Sequence, residues 1–223
     1  MLHRIKRFSE IYLTPAERLS EIIFGLIMVL TVTSTLKIAL TGGDAEIKMM
    51  IIAAIGCNTA WGIVDGVMYV LTSVFERSRY ARMISYISSA PDKKAALAII
   101  EEELETTIVQ TLDEDERKRI SAQVLNSASR AGTQEVNVTR EDIFGAISCF
   151  FLVFLSTFPV VVPFFIIREL GIAIRISNLI AILMLFAIGY GWARYTNRNR
   201  YKAGIAMVFI GSVIVAITVA LGG

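Results

Sequence analysis

Residues Met49–Phe75 read MMIIAAIGCNTAWGIVDGVMYVLTSVF, a run of 27 residues with a single charged side chain, Asp65. At 1.5 Å of helical rise per residue it reaches about 40 Å, more than the ~30 Å hydrocarbon core of a bilayer. It holds no proline, and a helix satisfies its backbone hydrogen bonds within the segment, as an apolar solvent demands. The stretch reads as a membrane-spanning helix. Outward from it, Ile22–Leu40 precedes, and Ile143–Ile167, Ile176–Ala193 and Ala203–Leu221 follow, each long and apolar enough to do the same.

The whole chain agrees. Its 223 residues are 55% hydrophobic and 19% charged, with a mean hydropathy of +0.62, whereas soluble domains carry about 25% charge. Apolar and charged residues are segregated into blocks, which excludes a disordered chain, a collagen and an ordinary soluble enzyme. A net charge of +2 is too small to mark a nucleic-acid binder. Cys57 and Cys149 both lie in apolar stretches, against a disulfide framework. Near the N-terminus, Arg4, Lys6, Arg7, Glu10, Glu17 and Arg18 interrupt any signal-peptide core. Thr14-Pro15-Ala16-Glu17 predicts a helix start, with Thr14 as N-cap, Pro15 at the first position and Glu17 at the third.

The fold expected is therefore all-α: a five-span transmembrane helical bundle with a helical cytoplasmic insert between spans 2 and 3. Residues 1–75 hold an N-terminal segment and the first two spans, 76–142 the insert, and 143–223 the last three spans. Lysine and arginine set the orientation. Eighteen lie in the N-terminal segment, the insert and the loop Arg194–Lys202, against four (Lys37, Lys48, Arg168 and Arg175) on the other side. The positive-inside bias makes the N-terminus and insert cytoplasmic and puts the C-terminus opposite, in a multi-pass protein of the cell membrane. Lys37 reads as an interfacial anchor.

The insert shows helical periodicity. Tyr80, Met83, Ile84 and Ile87 predict a helix over Glu76–Ser89 that continues straight out of the second span. Leu97, Ile100, Leu104 and Ile108 predict another over Asp92–Thr111. Ile120, Val124 and Leu125 predict a third over Asp113–Ala131, with Gly132 as its C-cap. Nine carboxylates fall between Asp92 and Glu116, among them Glu101 and the pairs Glu102-x-x-Glu105 and Asp113-x-x-Glu116. An i, i+3 pair stands on one helix face, and two such pairs suit an all-oxygen site for a divalent cation. The same residues also read as solvated faces, with Asp113–Glu116 favouring a helix N-terminus.

Asp65 is costly at membrane depth and belongs toward a protein-lined or water-lined interior, as a proton or ion relay or as a buried carboxyl bonded to neighbouring helices. Asn58 and Tyr69 share its helical stripe. Pro159 and Pro163, four apart in the third span, each remove a backbone donor, which suits a helix lining a route through the bundle. No nucleophile–base pair, phosphate loop or metal-hydrolase motif is present, so a non-enzyme is expected.

The layout and local sequence resemble the vacuolar iron transporter (VIT-like) family. Ser20-Glu21-Ile22-Ile23-Phe24-Gly25-Leu26 is similar to that family's opening of the first span, Phe154 to Phe164 to its Pro-x-x-x-Pro third span, and Ala203 to Gly211 to its last. The resemblance implies a homodimer that exports Fe²⁺ or Mn²⁺ from the cytosol in exchange for protons. No resident cofactor is required, and the partners expected are membrane lipid and the metal ion, without nucleic acid. By position, Glu102, Glu105, Asp113 and Glu116 match the paired carboxylates of the family's insert, and Asp65 falls near its second-span acid. The family's first-span Asp-Gly pair is replaced here by Ile27-Met28-Val29. A scaffold whose insert binds a partner or supports dimer packing is the alternative.

Overall fold

The computed structural model describes residues 9–39, 44–105, 108–131 and 135–221. His3, Arg4, Lys6, Arg7 and Gly132 lie outside the described residues, as does the side chain of Lys37. The helices are α1 (Pro15–Ala39), α2 (Asp44–Ser88), α3 (Lys93–Leu104), α4 (Glu114–Ala131), α5 (Arg140–Ile166), α6 (Leu170–Thr196) and α7 (Arg200–Ala220), with a 3₁₀ turn at Ile108–Thr111. No described residue lies in a strand. Five of the helices, α1, α2, α5, α6 and α7, are long and apolar enough to cross a membrane, as the sequence predicts.

The start of α1 is the capping box expected. The Thr14 amide donates to Glu17 Oε2 at 2.7 Å, and the Glu17 amide donates back to Thr14 Oγ1 at 3.3 Å. The second span indeed runs on without a break. At 45 residues, α2 is about 68 Å long, and it stops three residues before Pro91, whose ring disfavours helix in the residue ahead of it.

The chain divides into two compact units, Met1–Val70 with Arg140–Gly223, and Leu71–Thr139. In the first, α1 packs on α5, α6 and α7 around Leu26, Val29, Leu30, Val160, Val161, Ala181 and Leu185. Small residues let backbones approach, as packing in lipid requires. A Cβ on Gly25 would collide with Ser156, and one on Gly189 would stand 2.5 Å from the Ala203 carbonyl and 2.9 Å from Gly204 Cα. The α6–α7 turn is closed by Asn197 in the left-handed region (φ 50°), a conformation Asn tolerates, and by Asn199, which caps Tyr201 and Lys202. Helix α5 stays continuous through both prolines, and Ser177 of α6 donates to the Val160 carbonyl between them at 2.7 Å.

In the second unit, Ile87, Ala96, Ile100 and Ala128 form the core, flanked by Met83, Ile84, Val124 and Leu125. The Ser88 hydroxyl ties α2 to α4 through the Ala128 carbonyl. The expected helix over Asp92–Thr111 is shorter: α3 ends at Leu104, and a separate 3₁₀ turn follows.

Candidate functional site

Helices α1, α2 and α5 carry three polar layers, each built from one residue of α2 and its neighbours. In the first, Tyr69 donates through its hydroxyl to the Tyr12 carbonyl at 2.9 Å, and its ring lies against Gly145, where a Cβ would collide with it. In the second, the carboxyl of Asp65 lies against that of Glu21, and the Cys149 thiol lies beside Glu21. In the third, Asn58 is fully buried. Its amide donates to the Gly25 carbonyl at 2.9 Å and to Thr157 Oγ1 at 2.5 Å. The stripe Asn58–Asp65–Tyr69 thus faces α1 and α5. Asn58 and Tyr69 are inter-helix ties there, and Asp65 meets another acid.

The acid pair is incomplete in hydrogen bonds. Glu21 Oε2 and Asp65 Oδ2 are buried without a partner, and so is Asn58 Oδ1. No described lysine or arginine pairs with either carboxyl. Glu17, exposed one helical turn before Glu21, lies near enough to act on it electrostatically. An exposed acid, then a half-buried one, then Asp65 form a line from the start of α1 into the bundle. Of the two prolines, Pro163 is buried and Pro159 is on the outer surface of the bundle.

The insert's carboxylates divide between two grooves. Glu102 lines a groove with Arg79, Tyr80 and Met83, whereas Glu101 and Glu105 line another with Glu114, Arg117 and Lys118. Glu103 pairs with Arg79 at 3.5 Å. Asp113 caps α4, accepting from the Glu116 amide at 2.8 Å, and Glu116 itself is exposed. Lys118, bonded to Glu114 at 2.6 Å, holds that carboxyl below its usual range. Among the described residues no three His, Cys, Asp or Glu side chains come together to hold a metal ion. The i, i+3 spacing does put two acids on neighbouring faces. The cap and the ion pair claim Asp113 and Glu114 locally. Replacing Asp113 by Ala is expected to lower stability by about 1 kcal/mol through the lost cap. Asp113→Asn caps equally well and should leave the unfolding temperature of the full chain in detergent unchanged.

Sequence reasoning missed Glu21 and Cys149 as site residues. Glu21 immediately precedes the first apolar run, one turn after Glu17, where it reads as a boundary residue. Only the packing of α1 on its neighbours turns it inward.

Fold and site together define a multi-pass helical membrane protein that keeps ionisable groups inside its bundle. The sequence profile of the VIT family matches residues 19–223, and the chain belongs to the VIT family. Membership points to membrane metal transport. No curated protein matches the sequence.

Proposed function

We propose that the chain carries a divalent cation of the iron or manganese kind out of the cytosol, in exchange for protons and as a homodimer in the cell membrane. The observation that carries this reading is the Glu21–Asp65 carboxyl pair inside the bundle, with buried oxygens left unpartnered. Two carboxyls close together, with no basic partner among the described residues, are balanced by a shared proton or by a cation. Arrival of M²⁺ displaces the proton, and its departure restores it, which couples the two flows. Cys149 adds a softer donor, which suits Fe²⁺ better than the harder Mn²⁺, Mg²⁺ or Ca²⁺.

The positive-inside bias turns the start of α1, with Glu17, and the insert toward the cytosol. The insert's separated acids attract cations by their summed field, and a second copy of the chain would supply the further ligands a tight site needs. A scaffold role is favoured by one observation, that Asp113 and Glu114 are spent on a cap and an ion pair. Metal flux into proteoliposomes separates the two readings. Mn²⁺ or Fe²⁺ movement that grows with an imposed proton gradient is expected, and absence of flux for both ions would leave the scaffold.

A further inference from the structure

We propose that the cavity between α1, α5 and α6 binds an anionic phospholipid, its phosphate on Arg18 and Arg194 and an acyl chain along Leu152, Leu155 and Met184. These three helices pack on one another around a cavity of about 570 Å³ that all five residues line, within the range of small-molecule sites. The cavity has two chemically different zones. At the polar end stand Arg18, near the start of α1, and Arg194, in the last turn of α6. Glu10 is also there, 3.7 Å from Arg18. Two guanidinium groups against one carboxylate leave a net positive charge, and Arg194 has no carboxylate partner among the described residues.

That sign repels M²⁺, so the cavity is not a branch of the acid route, and the proposal does not depend on transport. A guanidinium fork matches phosphate oxygens. Apart from Ser9, Ser156 and Tyr195 the remaining wall is apolar, which a soluble anion would leave uncovered and an acyl chain covers. Basic pockets between membrane helices take anionic headgroups in this way. Gly191 opens the wall of α6: a Cβ there would meet nothing within 4 Å, so space remains for a chain to lie.

The test is lipid binding by the purified full chain in detergent, read by native mass spectrometry during titration with dioleoyl-phosphatidylglycerol or dioleoyl-phosphatidylcholine. Phosphatidylglycerol should bind at least several-fold more tightly. Arg18→Ala and Arg194→Ala should each weaken it about fivefold, the value of one basic side chain at an anionic headgroup, and weaken phosphatidylcholine, whose choline offsets its phosphate charge, by less. Glu10→Gln removes the competing carboxylate and should strengthen phosphatidylglycerol binding, an effect opposite to that of general damage. Gly191→Leu adds a side chain whose Cβ has open space to the cavity lining, and should weaken retention of both lipids; the unfolding temperature in detergent checks that the variant is folded. Equal binding of the two lipids, or undiminished phosphatidylglycerol binding by Arg194→Ala or Gly191→Leu, would overturn the proposal. So would displacement of the lipid by inorganic phosphate at equal concentration, which would identify a site for a soluble anion.

Discussion

Glu21→Gln and Asp65→Asn are each expected to lower divalent-metal flux about 10- to 100-fold, and the double variant should be little worse than either. The single losses correspond to one charged partner removed from a desolvated site, on the order of 1.5–3 kcal/mol. A dication between two carboxylates is electrically balanced, and between a carboxylate and an amide it is not. Once one acid is gone the other cannot complete the site, so the second substitution has little left to remove. That non-additivity is expected of residues acting as a unit. Structure should survive, because the new amide can donate to the remaining carboxyl without a shared proton. The unfolding temperature of both single variants in detergent should therefore match or exceed that of the native chain. Native-rate flux in both single variants, measured in proteoliposomes, would remove the pair from the transport route.

Gly189→Leu is expected to be the most damaging packing change, costing about 3 kcal/mol as an overpacked helix contact. Its first side-chain atom would meet the Ala203 carbonyl and Gly204 Cα, and Met207 Cβ at 2.7 Å. Two of those atoms are backbone, so no rotamer change relieves the overlap and α6 and α7 must separate. Gly56 makes the contrast. A Cβ there meets nothing within 4 Å, and Gly56→Ala should add roughly 0.5–1 kcal/mol by removing glycine's conformational freedom from a helix. Thermal unfolding of the full chain in detergent checks both. Native-like unfolding of Gly189→Leu would mean that the α6–α7 contact is looser than its geometry indicates.

The five spans were readable from residue order because the bilayer imposes a length rule, and helices such as α2 and α5 announce themselves by apolar length alone. The α1 capping box was equally readable, since its partners are three residues apart. So was the run of α2 past Phe75, because no breaker stands before Pro91. Local chemistry of this kind depends on neighbours in the chain. The insert marks the limit. Periodicity placed its apolar stripes, yet the length of α3 and the separation of Glu102, Glu105, Asp113 and Glu116 depend on how short helices fold back on one another.

Asp65 stood out from its position in an apolar run, as an isolated charge must. Its partner did not, because Glu21 is 44 positions away in the chain and is indistinguishable there from an ordinary interfacial acid. The antiparallel course of α1 beside α2 brings Glu21 to Asp65 and Gly25 to Asn58, and the segment ahead of α1 brings Tyr12 to Tyr69. Length and hydropathy suffice to find five helices able to cross a membrane, since those are properties of each segment taken singly. Which buried acid faces which is a property of pairs of helices, and only the packing of small residues such as Gly25 and Gly145 against their neighbours sets the register that decides it.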